Sequence, residues 1–365
     1  MDAELANLRA AFRWATDRSD LVTAAAIAAH TAAMALWLLV LEPIGWAEEL
    51  LPAATTTDIA QLPRLYTAAG LAGYVGRPEA GAEHARTALR LAVNDRYDPF
   101  HPAYPGWVGN AEMVGGGDVD HYVDEMSAMA GYEAGRTSVA ADRSDLGQVI
   151  GLAGLAYMLP AVGRAEEARA PAAQALRVAR AHANPVWITV TLLGVGRAFA
   201  DTDPPHALDA FAQAVILTRE ERIPWWEAFA AFESDGLETL HGDPDTGLDL
   251  FDAVITALHL AGNGTDPPVA VAALAVYFDQ AGQPETAATL YGTTVHAVTT
   301  WLPAVPATLE HLRAALGESR FDECVAAGAA MELGDAVAYA RQQIRAARAA
   351  LASTRQAQAA DRSAS

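Results

Sequence analysis

Residues 242–254 read GDPDTGLDLFDAV, and residues 282–294 read GQPETAATLYGTT. Both segments open on glycine, place proline two residues on (Pro244, Pro284), a small residue five on (Gly247, Ala287) and an aromatic nine on (Phe251, Tyr291). Working outward from this pair, the same frame fits Gly76, Gly117, Gly163 and Thr202, with intervals from Gly76 to Gly282 of 41, 46, 39, 40 and 40 residues. Offsets five, nine and twelve carry Gly81, Ala85 and Ala88, then Tyr122, Met126 and Met129, then Ala168, Ala172 and Ala175, then Ala207, Phe211 and Ala214, then Gly247, Phe251 and Val254, and finally Ala287, Tyr291 and Thr294.

Steps of four and three put these residues on one face of a helix, and their small size lets that helix sit close to a partner. Pro78, Pro204, Pro244 and Pro284 fall two residues after their references, where a first-turn proline loses no hydrogen bond. Asp118, Asp203 and Asp243 precede three of these helices and suit capping of their free amides. Each unit therefore reads helix, turn, capped helix. Such a hairpin cannot bury its apolar face alone, so the units stack into an all-α superhelical solenoid of helical hairpins, similar to tetratricopeptide repeats.

An earlier copy is expected at Asp20, with Ala25, Ala29 and Ala32 at the same offsets. The reading is one array over residues 1–350, with irregular hairpins in 1–60, regular repeats in about 61–300 and capping helices in about 305–350. Residues 94–109, NDRYDPFHPAYPGWVG, read as a longer packed loop, and the polar residues 351–365 as a frayed tail.

Composition excludes several functions. The formal charge is −21, from 45 acidic and 24 basic residues, which opposes direct binding of nucleic acid. All 24 basic residues are arginine, so neither a phosphate-loop lysine nor Schiff-base chemistry is available. The single cysteine, Cys324, allows no internal disulfide and reads as a small core residue in a cytoplasmic protein. Residues 21–41 carry no charge over 21 positions, long enough for a membrane span. They are mostly alanine and threonine around His30, and a buried helix is the expected form.

With the repeat established, the chain resembles tetratricopeptide-like arrays. Its ends, ELANLRAAFRWATDRSD and LRAALGESRFDECVAAGAAMELGDAVAYA, resemble the C-terminal helical region of actinobacterial signalling regulators. In these, a class III adenylate cyclase or DNA-binding module is joined to a STAND-type ATPase and then to helical repeats; LuxR-type members end in a helix-turn-helix. No phosphate loop, cyclase aspartate pair or C-terminal helix-turn-helix is visible here. The resemblance implies a sensor or scaffold part without its motor, with Met1 as the start of a split or truncated gene.

No catalytic, cofactor or metal residues are assigned. Gly115 to Asp118 resembles a phosphate loop but lacks the preceding strand and basic partner, and reads as a turn. Asp118, Asp120 and His121, and likewise His241, Asp243 and Asp245, lack metal-ligand spacing and sit where caps are expected. The candidate partner-binding groove centres on Pro224 to Phe229, at the start of a first helix. Trp225, Phe229 and Phe232 form one stripe, with Trp226 on the neighbouring face. Trp187, Arg197, Tyr157 and Trp107 are further candidates for this groove. The bland alternative is that these side chains fill the seam between hairpins.

The expected function is a non-catalytic module that binds a protein, a peptide or a small-molecule effector and passes its occupancy to an effector domain. A nucleotide-binding or residual enzymatic protein is the alternative. A scaffold tethered through residues 21–41 is the third reading.

Overall fold

A computed structural model describes residues 2–99, 119–130, 145–264, 266–294 and 304–364. Among these residues every regular element is helical. The first five helices are α1 (Asp2–Asp17), α2 (Leu21–Ala35), α3 (Glu42–Thr57), α4 (Leu62–Gly70) and α5 (Pro78–Ala92). The middle of the chain forms α6 (Val119–Ala130), α7 (Asp145–Met158), α8 (Ala165–His182), α9 (Pro185–Phe199) and α10 (Pro204–Glu220). Then follow α11 (Pro224–His241), α12 (Pro244–Leu260), α13 (Asp266–Gln280), α14 (Pro284–Gly292), α15 (Ala304–Leu316), α16 (Glu318–Ala329) and α17 (Leu333–Ala364).

The turn chemistry does what the sequence requires. Gly76, Gly163 and Gly282 adopt φ of 80°, 76° and 71°, left-handed values that end the preceding helical turn without a Cβ clash. Pro78, Pro204, Pro244 and Pro284 are each the first residue of their helix. The Asp203 carboxylate accepts from the His206 amide at 3.3 Å and Asp243 from the Asp245 amide at 3.4 Å, loose N-caps in both cases. Gly242 departs from the pattern, with φ −110°: there the Glu238 carboxylate folds back to accept from the Asp243 amide at 2.9 Å. Gly117 and Asp118 lie outside the described residues.

The small-residue faces are buried. Ala85, Ala168, Ala175, Ala207, Ala214, Phe251 and Ala287 are completely inaccessible. The second helices α8, α10, α12 and α14 each pack on their own first helix and on the first helix of the next unit. The first helices α7, α9, α11, α13 and α15 also touch one another in sequence, whereas the second helices α8, α10, α12 and α14 share no comparable contact with one another. Only at the end of the array does a second helix, α14, pack closely on the next, α16. An array whose first helices crowd together curves toward them, so they line its inner face.

The copy at Asp20 has another role. α2 pairs with α3 and touches α4, the pattern of a first helix, although Ala25, Ala29 and Ala32 are buried as expected. Asp20 does cap it, accepting from the Thr23 amide at 3.2 Å. α2 spans 15 residues, about 22 Å at 1.5 Å per residue, too short for a bilayer core. It gives way to a 3-10 turn at Leu36–Leu38 and a left-handed Leu39. No helix among the described residues is long and apolar enough to cross a membrane.

Among the described residues, beside a small separate cluster of Ala85 and Leu89 in α5, two large apolar cores form. One is built from α1 to α4 and also takes in Trp225; the other runs from α6 to α17. They meet where Tyr74 packs edge-on against Trp225, with ring centroids 4.8 Å apart. Beside that contact the Gly264 amide donates to the Tyr74 carbonyl at 2.9 Å. The residues expected to fray after Leu351 instead continue α17 through Ala364. Alanine, glutamine and arginine are strong helix formers, and Leu351 still packs on the second core.

Candidate partner-binding groove

Three successive first helices contribute one residue each to a buried polar cluster. Tyr157 lies at the end of α7, Arg197 near the end of α9 and Glu233 in the middle of α11, 40 and 36 residues apart. The Arg197 guanidinium grips the Glu233 carboxylate with two N–H groups, Nη2 donating to Oε1 at 2.9 Å and Nε donating to Oε2. Nη2 also donates to the Tyr157 hydroxyl at 3.0 Å, and that hydroxyl donates to Glu233 Oε1 at 2.5 Å. The guanidinium carbon stands 4.4 Å from the Tyr157 ring centroid, a cation–π contact in the same cluster.

The side chains of Arg197 and Glu233 are only 13% and 3% exposed, so both charges have left bulk water. Burial works against the Arg197 charge, but Glu233 and Tyr157 outweigh it and hold its pKa above the usual arginine value. Burial likewise pushes the Tyr157 hydroxyl well above its ordinary range. A similar link recurs along the inner face, where His311 Nδ1 of α15 lies 2.8 Å from the Asp279 carboxylate of α13.

The aromatic residues converge on Phe229. Its ring lies 5.8 Å from Tyr157, 5.7 Å from Trp226, 6.5 Å from Trp225 and 6.3 Å from Phe232. Trp226, Phe229 and Glu233 follow each other at three and four residues and share one stripe of α11. Trp226, Phe229 and Phe232 are half-buried, while Trp225 is buried against the Tyr74 ring. The cluster therefore divides: Trp225 belongs to an internal seam, and the other three keep exposed surface beside the ion pair.

Of the other expected groove residues, Trp187 packs on His182 at a ring distance of 5.0 Å, away from this cluster. Trp107 lies outside the described residues. Glu233 was not singled out from the sequence, though it stands one helical turn beyond Phe229 and near one repeat beyond Arg197.

Asp235 faces the opposite side of α11. It is 1% exposed, neither carboxylate oxygen has a side-chain partner, and burial pushes its pKa well above the usual carboxylate range. Asp243 accepts from the Thr246 hydroxyl at 2.9 Å and pairs with Arg355, and Asp245 pairs with Arg348 at 2.8 Å. Both are thus engaged by partners other than His241. No group of three histidine, cysteine or acidic side chains among the described residues is arranged to hold a metal. Asp118 and Gly115 to Gly117 lie outside the described residues, as does the His121 side chain.

No family model and no curated protein matches this chain. Among solved structures it is similar to a Rap protein complexed with competence and sporulation factor. The two are 11% identical, with a TM-score of 0.49 over 89% of this chain and 98% of that one.

Proposed function

We propose that this chain is a non-catalytic repeat module that binds an extended peptide or protein segment along its inner face. In this reading it is the sensor or scaffold part of a bacterial signalling or transcriptional regulator, acting on an attached or separately encoded effector. The observation that carries the reading is the junction of α7, α9 and α11, where half-buried Trp226, Phe229 and Phe232 border the ion pair of Arg197 and Glu233. Rigid aromatic side chains with exposed faces make efficient anchors, because little rotamer freedom is lost on contact. A neighbouring ion pair with both partners already satisfied adds shape and dipole without leaving a charge to be desolvated.

Display of a random peptide library against the purified chain tests this. Enriched peptides should bind the wild type and lose at least about tenfold in affinity to Trp226→Ala or Phe232→Ala, with helical content unchanged. Absence of enrichment, or equal binding by the variants, would overturn the groove.

A further inference from the structure

The last helix does not continue the stack. α17 turns back and lies against α12, α13 and α14, and its arginines meet aspartates at α12 that stand 89 to 112 positions earlier in the chain. Its buried stripe is Val337, Ala340, Ile344 and Ala347, extended by half-buried Leu351. Spacings of three and four in alternation are those of a two-helix heptad seam.

Beside the stripe, every seventh residue is an arginine. Arg341 Nε donates to Asp252 at 2.7 Å, Arg348 Nε donates to Asp245 at 2.8 Å while its Nη1 reaches Asp249, and Arg355 reaches Asp243. The arginine numbers rise as the aspartate numbers fall, so α17 and α12 run antiparallel. Asp245, Asp249 and Asp252 are spaced by four and three and share one face of α12.

The seam is thin. Of the five described residues of α17 that are buried, three are alanine (Ala336, Ala340 and Ala347), and the arginine side chains are 35–54% exposed, so their pairs are open to screening. The contact is thus specific in register and orientation but modest in apolar area.

We propose that the α12 face bearing Asp243, Asp245, Asp249 and Asp252 is a docking surface for an amphipathic helix with arginine at every seventh position. α17 is its internal occupant, and a partner helix of the same chemistry displaces it. This surface belongs to a second helix of the array, whereas the aromatic groove belongs to the first helices. A chain charge of −21 favours such an arginine-bearing partner and disfavours an acidic one.

The test uses the full chain carrying Arg341→Glu, Arg348→Glu and Arg355→Glu together, and a fluorescent peptide of residues 333–358. Amide exchange in α17 should speed up at least about tenfold in the variant while α7 to α11 keep their protection. The variant should then bind the added peptide at least about tenfold more tightly than the wild type, whose face is occupied. Unchanged exchange in α17 overturns the proposal, as does a released α17 whose face fails to bind the peptide. If the triple variant loses its helical content, the wild type is compared at low salt and at about 1 M salt, where screening is nearly complete at contact distances. Faster exchange confined to α17 then supports the displaceable strap, and equal protection overturns it.

Discussion

Arg197 and Glu233 face each other in a two-pronged buried ion pair that joins α9 to α11, with Tyr157 of α7 closing the triangle. The three residues tie successive units of the array together on its inner side. Removing Arg197 or Glu233 leaves the opposite charge buried with the Tyr157 hydroxyl but without its ion-pair partner. Arg197→Met should destabilise the chain by about 3 kcal/mol, and Glu233→Leu by a similar amount. The double variant should cost less than the sum of the two, because no bare charge remains. Urea unfolding of the four proteins measures this, and strict additivity would show that the pair is not coupled.

The edge contact between Tyr74 and Trp225 is one of the apolar contacts between the two cores, beside Leu39 and Trp226, which pack against both. Trp225→Ala should cost about 3 kcal/mol, the usual range for deleting a buried aromatic. Its signature is regional. Amide exchange in α1 to α4 should accelerate while α7 to α9 stay protected, and uniform acceleration would contradict the two-core arrangement.

Stability should depend on pH through Asp266. Burial raises its carboxyl from an ordinary 3.8 to about 6, although the Asn263 amide donates to it at 2.7 Å. Between those values the folded chain holds a proton that the unfolded chain has released. The stabilisation is therefore fully present below about pH 4, and stability falls as pH rises toward about 6. Two pKa units set an upper bound of about 3 kcal/mol. Asp266→Asn should flatten this part of the profile; identical urea midpoints against pH in both proteins would refute the assignment.

At the other end of the array α14 and α16 cross backbone against backbone. A Cβ on Gly328 would fall 2.1 Å from the Thr289 carbonyl oxygen, and one on Gly292 would fall 2.2 Å from that of Val325. Gly328→Ala should therefore cost about 1–3 kcal/mol by forcing the helices apart. Gly334→Ala in α17, where a Cβ meets nothing within 4 Å, should be neutral or slightly stabilising. Thermal unfolding distinguishes the two.

Much of this was legible from local chemistry. Prolines at the first helical position, Asp203 and Asp243 as caps and the small-residue faces all act within a few residues, so their signals survive in the sequence. Tyr157, Arg197 and Phe229 could be marked as inner-face candidates from the repeat. Glu233 does not stand out locally, because one carboxylate among 45 acidic residues carries no mark of its own. Register from Arg197 would have found it. The role of α2 is not legible locally, because alanines every three or four residues suit a first helix as well as a second. The return of α17 onto α12 was invisible for another reason: its heptad needs a partner, and nothing in residues 333–355 says which helix that is.

The hydrogen bond from Gly264 to Tyr74 bears on how the molecule comes apart. The two backbones approach so closely there that a Cβ on Gly264 would fall 2.9 Å from the Gly76 Cα. In an open ladder of hairpins the end rungs melt first and the front travels inward. Here a rung near one end is fastened to another several rungs along, so the rungs between them cannot peel away singly. Heating should melt them together in one sharp step, as in a closed ring.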